Sequence, residues 1–582
     1  MSLPAPLVRF GDVEVDTRSG EIRRAGFKSN LPDQPFRALM LLLGRPGQTV
    51  TREELTKQLW PDDTFVDFER GLNKIINKLR AALGDDAGKP LYIETLPQRG
   101  YRFIAPVENA APPRDPLRPQ LPGAPPIDSL AVLPLDNLSG DPAEEYFSDG
   151  MTEELICEIA KIRSLRVISR TSVMQYKGAR RSLPEIAREL RVDAIVEGSV
   201  ARSGERVRIT AQLIYAPEDR HLWSGRYERD LRDILQLQAE VAQNITRQVQ
   251  KIVDPRQIAV APARQIHPPA YEAYLKGSFF RDKLNPRELD RSIGFFTQSI
   301  DLDPTYAPAY GALARCYLFV GIAGLRHPAE VFLKVRANAL KALELDQTVA
   351  AAHVALSSVN VFDGWNWAAA EAEARRAVEV SPGDPLTHGH LADYLSIRGR
   401  HGEAISEFGL ALELDPISPE LNNWLALMLY RARRYDESIA QCQKVLEIDP
   451  HHVNVLWFMA LSLEQKGELA EAIASLEKAV GLAGAPHYRA LLGRAHALFG
   501  DRTNALTLLD ELNALRQQSY VSPLDMAVIH FGLGDLTSTF EWLEEAYRQR
   551  VWRIIELLMP FFDSLRPDPR WQDLVRRIGL SP

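Results

Sequence analysis

The sequence predicts a multidomain α+β protein: a small mixed head, a small α/β domain, and a C-terminal all-α superhelix. Three observations lead to this fold class. Residues 108–127 are dense in proline and indicate a linker, and a weaker break lies at 254–267. Strand-like and helix-like hydrophobic patterns alternate before the second break. A 34-residue internal repeat follows it.

Charge is distributed unevenly along the 582 residues. The whole chain has a net charge of −8, whereas residues 1–107 carry 16 Lys and Arg against 14 Asp and Glu. A slightly basic head on an acidic body favours local contact with nucleic acid.

Three distant cysteines exclude a disulfide framework, and no signal pattern or long apolar run is present. We therefore expect a cytoplasmic protein without membrane contact.

The head begins with strands and continues with helices. The stretch VRFGDVEVDTRSGEIRR alternates apolar and polar residues around a turn, which predicts short antiparallel strands. A helix is expected from Asp33 to about Gly44. A second helix, VTREELTKQLW, has Thr51 as its cap, and Glu54 three residues later completes a capping box.

The third helix, residues 68–83, has one apolar and one polar face. Its apolar residues follow i, i+3, i+4, i+7 spacing and are Leu72, Ile75, Ile76, Leu79 and Leu83. The opposite face carries Arg70, Asn73, Lys74, Asn77 and Lys78. The stretch YIETLPQRGYRF then predicts a hairpin, with Arg99 near its tip and Arg102 on its second strand.

This order, with the motifs TREEL…LW, NKIINKLRAALGD and RGYRF, resembles the winged helix-turn-helix domain of OmpR/PhoB-type response regulators over residues 1–107. The resemblance implies that helix 68–83 enters the major groove of double-stranded DNA. Asn can pair with adenine, while Arg and Lys reach guanine or phosphate. In the hairpin, or wing, Arg99 would meet the minor groove and Arg102 a phosphate. The family often has Arg earlier in the wing, where Pro97 stands here.

The same resemblance suggests further partners. Residues 61–68, PDDTFVDF, match the segment that contacts RNA polymerase in some family members; the alternative is an ordinary connection packed by Phe65 and Phe68. We expect two copies on DNA, because one small winged helix buries too little surface for specific affinity. Only a few residues precede the winged helix, so input is expected from the C-terminal side.

The middle region has the predicted order β-α-β-α-β-β-β-α, with LRVISRTSV as one strand. Over residues 128–253 the motifs AVLPLDNLSGDPAEEYFSDGMTEELI and IVEGSV resemble the TolB amino-terminal-like domain. The resemblance implies an interaction or sensing module. An acidic cluster that includes Asp136 and Asp149 is better explained by a helix N-terminus than by catalysis. Cys157 is expected in the core.

In the tail, Pro382, Pro416 and Pro450 lie 34 residues apart. With AEAEARRAVEVSP, GEAISEFGLALELDP and DESIAQCQKVLEIDP, this period resembles the tetratricopeptide repeat (TPR). We expect seven or eight repeats over 268–550 and a helical cap over 551–582. The concave face would hold a peptide or protein partner. The residues expected to contact this partner are His388, Asn422 and Asn423. Cys442 is expected to be packing material.

These regions together predict a bacterial transcriptional regulator that binds DNA sequence-specifically and senses or recruits a partner through its other domains. It would be similar to CadC-like regulators, with a proline-rich linker where that group has a membrane span. The alternative is a TPR scaffold whose winged helix serves protein contacts. No nucleophile–base constellation, phosphate loop or metal spacing is visible. We therefore expect no enzymatic activity, no metal and no cofactor.

Overall fold

In a computed structural model, the chain forms two compact units, Met1–Pro119 and Gln120–Pro582. The structure describes residues 7–110, 127–247 and 267–580, apart from short gaps, the longest of which is 60–67. Most of the two predicted linkers, 108–127 and 254–267, lies outside the described residues, namely residues 111–126 and 254–266.

An antiparallel five-stranded sheet opens the first unit. Its strands are β1 (Leu7–Phe10), β2 (Val13–Asp16), β3 (Glu21–Arg24), β4 (Phe27–Asn30) and β8 (Glu108–Ala110). They lie in the order β4-β3-β2-β1-β8. The strand β8 corrects the expected start of the linker at residue 108, because Glu108–Ala110 pairs with β1 and belongs to the head.

Three helices follow: α1 (Asp33–Leu43), α2 (Arg52–Leu59) and α3 (Phe68–Leu83). The predicted capping box at the start of α2 is present. The Thr51 N–H donates to the Glu54 carboxylate at 2.8 Å, and the Glu54 N–H donates to the Thr51 hydroxyl at 3.1 Å. These bonds and the nearby Arg45 guanidinium lower the pKa of Glu54. The acid is therefore held in its charged form at the helix N-terminus, where the helix dipole favours it.

The hairpin that forms the wing belongs to a small second sheet. Its strands are β5 (Thr49–Thr51), β6 (Ile93–Leu96) and β7 (Gly100–Phe103), in the antiparallel order β5-β7-β6. All five apolar residues predicted on α3 are buried. They share one core with Phe10, Tyr92 and Phe103, whose rings meet edge to face. The core therefore joins the first sheet, the three helices and the wing.

The second unit begins with an α/β domain. Its strands are β9 (Ser129–Val132), β10 (Asp136–Asn137), β11 (Arg166–Val167), β12 (Ala194–Ser203), β13 (Arg206–Tyr215) and β14 (Arg220–Asp230). Its helices are α4 (Glu145–Ala160), α5 (Arg170–Met174) and α6 (Leu183–Leu190). The sheet order is β11-β9-β12-β13-β14, with β10 beside β12. Described residues between 237 and 247 are helical, and Leu237, Val241 and Ile245 are buried.

Two expectations for this domain are wrong. The segment LRVISRTSV is not one strand: β11 ends at Val167, and α5 begins at Arg170. After Val167 the chain turns into α5, and the Ser169 N–H donates to the Leu414 carbonyl, far along the chain, at 3.0 Å. Cys157 is exposed on α4 and is not a core residue. Two acidic residues of α4, Glu145 and Asp149, are paired with one lysine. Lys177 Nζ lies 2.5 Å from Glu145 Oε2 and 2.6 Å from Asp149 Oδ1.

Eight antiparallel helix pairs follow within the described residues. The pairs are Pro268–Arg281 with Pro286–Leu302 (pair 1), Ala307–Ile322 with Pro328–Leu345 (pair 2), Ala350–Phe362 with Trp367–Val380 (pair 3), Pro385–Ile397 with His401–Leu414 (pair 4), Pro419–Arg431 with Tyr435–Ile448 (pair 5), Val453–Gln465 with Leu469–Ala483 (pair 6), Pro486–Phe499 with Arg502–Arg516 (pair 7) and Pro523–Gly532 with Leu536–Arg548 (pair 8). Cys442 is fully buried, as expected for a core residue.

A polar clamp recurs from pair to pair. In pair 4, His388 Nδ1 lies 2.6 Å from the Glu407 carboxylate, and Nε2 lies 2.9 Å from the Pro382 carbonyl. Pair 3 repeats this arrangement with His353 and Glu373, whose Nδ1–carboxylate distance is also 2.6 Å. In pair 5, the Gln441 amide donates to the Asn422 carbonyl at 2.6 Å. The clamp therefore ties the two helices of a pair together.

The structure contradicts the prediction that His388 and Asn423 contact a partner. His388 is buried, with 6% of its surface exposed, and Asn423 is buried with 1% exposed. Asn422 is half-buried and also donates to the Ser418 carbonyl at 2.7 Å. The structure therefore presents neither His388 nor Asn423 to a partner, and the Asn422 amide bonds within its own pair.

The C-terminal segment packs back against the middle of the helix pairs. It contains the 3-10 helices Trp552–Leu558 and Pro560–Leu565 and the α-helix Pro569–Ile578. The Trp367 indole donates to the Ile578 carbonyl at 2.8 Å, and the Phe561 N–H donates to the Tyr430 hydroxyl at 3.2 Å. Residues from pairs 3 and 5 thus hold a segment that follows pair 8. The predicted cap therefore does more than close the last pair.

The α/β domain also packs against the helix pairs. The Tyr146 hydroxyl donates to Glu272 in pair 1 at 2.8 Å. The Arg166 guanidinium donates to the Glu413 carbonyl in pair 4 at 2.8 Å, and the Ser172 hydroxyl donates to Asp415. One apolar core contains residues from both parts. The α/β domain and the repeats are therefore one packed body.

The clamp generates a prediction on pH dependence. Burial lowers the pKa of His388, but the hydrogen bonds to Glu407 and to the Pro382 carbonyl, together with the charges of Glu407 and Asp384, outweigh it, and the pKa is raised. A raised folded-state pKa gives a stabilisation that is present below the unfolded pKa and is lost as pH rises through the folded pKa. The double variant His388→Asn with Glu407→Gln installs the neutral clamp of pair 5 and removes this titration.

We expect the melting temperature of the wild type, relative to that of the double variant, to fall as pH rises from about 6.5 into the alkaline range. Thermal unfolding across this pH range measures the difference. A difference that does not change with pH would contradict the assignment.

Candidate nucleic-acid interface

The outer face of α3 carries four of the residues that the sequence predicts for contact with the major groove of DNA. Asn73, Lys74, Asn77 and Lys78 are all exposed, while the stripe on the opposite side of the helix is buried. Within the described part of the chain, no carboxylate lies within ion-pair distance of either lysine. The side chain of Arg70 and the loop 61–67 lie outside the described residues. The exposed face is therefore an array of amides and ammonium groups.

Asn73 is held in place by two other elements of the head. Its Oδ1 accepts hydrogen bonds from Arg52 Nη1 at 3.3 Å, from Arg52 Nη2 at 3.2 Å, and from the Tyr101 hydroxyl at 2.9 Å. Arg52 begins α2, and Tyr101 lies on β7. The Arg52 guanidinium also lies 5.3 Å from the centre of the Tyr101 ring. The Asn73 amide is therefore fixed in orientation before any ligand binds.

The two arginines predicted on the wing differ in their surroundings. Arg99 is exposed beside the tip, where its N–H donates to the Leu96 carbonyl at 3.0 Å; Pro97 and Gln98 lie outside the described residues. Arg102 is ion-paired with Glu94 across the hairpin at 2.6 Å. Contact between Arg102 and a phosphate would therefore compete with this ion pair, whereas Arg99 is already exposed.

Arg80 and Asp85 position the wing and were missed in the sequence analysis. Arg80 is buried at the end of α3, and its Nη2 donates to the Ile93 carbonyl at 2.7 Å and to the Thr95 hydroxyl at 2.8 Å. Asp85 accepts from the N–H groups of Leu91 at 2.6 Å and Ile93 at 2.8 Å. Arg80 directly follows the buried Leu79, and that position is the only sequence signal that could have indicated its burial.

The described residues form neither a metal-binding cluster nor a membrane-spanning helix. No group of three or more His, Cys, Asp and Glu side chains there could hold a metal ion. None of the described helices combines the length and the apolar character that a membrane span requires. The candidate site is the exposed face of α3 together with the wing, to which Arg80 and Tyr101 tie it.

Comparison with protein families finds matches in two parts of the chain. Residues 27–103 match the family described as "Transcriptional regulatory protein, C terminal". Residues 391–453 and 429–495 match families of the tetratricopeptide repeat. The predicted OmpR/PhoB-type winged helix, the TPR repeats and the multidomain α+β class are confirmed. The resemblance of residues 128–253 to the TolB amino-terminal-like domain stays a prediction.

Individual relatives cover parts of the chain. The protein named "Putative adenylate cyclase 3" of Rhizobium meliloti is 34% identical over 227 residues, which are 39% of this chain and 37% of that protein. The "Transcriptional regulator HilA" of Salmonella typhimurium is 25% identical over 335 residues, 56% of each chain. The chain thus spans little more than half of the second relative and less of the first. The DNA-binding domain of E. coli CadC is 29% identical, with a TM-score of 0.17, and covers 18% of this chain and 99% of that domain.

The close approach of β5 and β7 generates a prediction about the wing. A Cβ atom added at Gly100, which has a φ of +153°, would lie 2.1 Å from the Val50 carbonyl oxygen. Because backbone atoms cannot yield as a side chain does, Gly100→Ala should separate β5 from β7 and cost about 3 kcal/mol or more. Hydrogen exchange of the full chain should show loss of protection over residues 93–103.

Gly47→Ala provides the control for this variant. Gly47 also has a positive φ, +76°, but no described atom lies within 4 Å of its added Cβ. Its cost should be about 1 kcal/mol of backbone strain, with the wing amides still protected. Equal loss of protection in the two variants would refute the steric explanation.

Proposed function

We propose that the chain is a transcriptional regulator that binds double-stranded DNA in a sequence-specific way through α3 and the wing. The single observation that carries the proposal is the exposed face of Asn73, Lys74, Asn77 and Lys78 on a helix whose other side is buried. Amide and ammonium groups on one side of a helix suit the donor and acceptor pattern of the major groove and the phosphates beside it.

The geometry around this helix supports the proposal. The wing is tied to α3 by Arg80 and by Tyr101, so the two elements form one surface. Arg99 is exposed on the wing and would reach the minor groove beside the helix. We further propose that two copies bind adjacent half-sites, which would add the surface that one small domain lacks.

The second unit would supply input to this DNA-binding head. TPR repeats stack into extended surfaces that bind peptides or proteins. Here the α/β domain and the C-terminal segment already pack against pairs 1, 3, 4 and 5. A peptide or protein partner would therefore use the surface that these two segments leave exposed. Contact with RNA polymerase through residues 61–68 and a cytoplasmic location remain parts of the proposal.

Salt-dependent binding of the full chain to duplex DNA tests the proposal. Binding to fragments selected from a random duplex library should weaken as salt rises, because each lysine on a phosphate releases counterions. The variants Lys74→Met and Lys78→Met should each lower the slope of log K against log salt by about 1. Fluorescence anisotropy over a salt series measures this slope.

Lys478→Met is the matched control, since Lys478 is also exposed on a helix but lies in pair 6. It should leave both affinity and slope unchanged. Equal effects of all three substitutions would indicate general charge attraction instead of a defined site. Failure of the wild type to bind DNA even at low salt would favour the alternative, a scaffold with a protein-binding winged helix.

A further inference from the structure

The side chain of Asn73 can be oriented without ambiguity from its neighbours. A guanidinium group only donates hydrogen bonds, so the amide atom that faces Arg52 must be the oxygen. The distances from Oδ1 to Arg52 Nη1 and Nη2 are 3.3 and 3.2 Å, and the Tyr101 hydroxyl lies 2.9 Å away. An amide oxygen has two lone pairs, so these two side chains use its acceptor capacity.

The two donor side chains are themselves restrained. Tyr101 is 2% exposed, and β7 pairs with both β5 and β6. Arg52 lies over the Tyr101 ring, and its backbone N–H donates to the Arg99 carbonyl at 3.3 Å. Asn73 itself is exposed, and within the described residues its Nδ2 donates to no acceptor. Asn73 therefore faces outward as a hydrogen-bond donor.

This orientation changes which base the residue can read. Bidentate recognition of adenine requires the amide oxygen to accept from the base N6 while the nitrogen donates to N7. Guanine presents only acceptors, O6 and N7, on the same edge. We propose that Asn73, held by Arg52 and Tyr101, reads guanine in the major groove. The proposal rests on the proposed DNA-binding function and replaces the sequence expectation that this Asn pairs with adenine.

Selection of bound sequences from a random duplex library by the full chain tests the proposal. The wild type should enrich guanine at one position, and Asn73→Ala should abolish the preference at that position alone. The double variant Arg52→Met with Tyr101→Phe frees the amide oxygen, so the same position should change from guanine to adenine. The ratio of guanine to adenine should shift by about tenfold.

Two further variants separate base reading from a general structural effect. Tyr101→Phe alone keeps the aromatic ring and removes one donor, so it should shift the ratio in the same direction by a smaller amount. Asn77→Ala alters the exposed amide one turn later and should change a different position. If Arg52 and Tyr101 only stabilised the fold, their loss would weaken binding to all sequences equally.

Two results would overturn the proposal while leaving DNA binding intact. One is enrichment of adenine by the wild type at the position that depends on Asn73. The other is an unchanged consensus in the Asn73→Ala variant. Failure of the wild type to enrich any sequence would instead refute the proposed function, on which this inference depends.

Discussion

Burial of the apolar side of α3 is the interaction on which the proposed interface depends. The stripe from Leu72 to Leu83 packs into a core shared with the first sheet and the wing. Removing five large aliphatic side chains from water contributes on the order of 10 kcal/mol. The helix therefore cannot rotate about its axis without exposing that stripe, and its amides and lysines stay on the outside.

Polar contacts then define the surface more finely than burial alone. Arg80 holds the wing to the end of α3, and Arg52 with Tyr101 holds the Asn73 amide. Arg52 lies 21 positions from Asn73 along the chain, and Tyr101 lies 28 positions from it. Because hydrogen bonds in a restrained setting fix which atoms face outward, they decide which bases the helix can distinguish.

Local pattern predicted the helices of the head and the repeats, and it failed at α5, at β8 and where burial depends on distant contacts. Each feature that could be read directly depends on a fixed spacing between residues along the chain. These features are the stripe of α3, the capping box at Thr51 and the 34-residue period. The pattern at 165–173 failed because the chain turns there from β11 into α5, where Ser169 bonds to the distant Leu414. His388 and Asn423 were misjudged for a similar reason: sequence shows that they are polar but not that they are buried.

In the second unit, the repeats are held by contacts that close over long separations. Trp367 and Ile578 are bonded across 211 positions, and Arg166 and Glu413 across 247. A repeat array usually contacts only its nearest neighbours. Here the α/β domain and the C-terminal segment add contacts between distant parts, so a partner that binds the repeats must do so on a surface already bounded by the chain itself.

If the outer face of α3 meets the bases of duplex DNA, a photoreactive group on that face will cross-link to the DNA. A photoreactive amino acid at position 77 of the full chain, irradiated with a selected duplex, should attach to the DNA. The same group at Lys478 should not. DNA retained by the protein without any cross-link from position 77 would contradict the account.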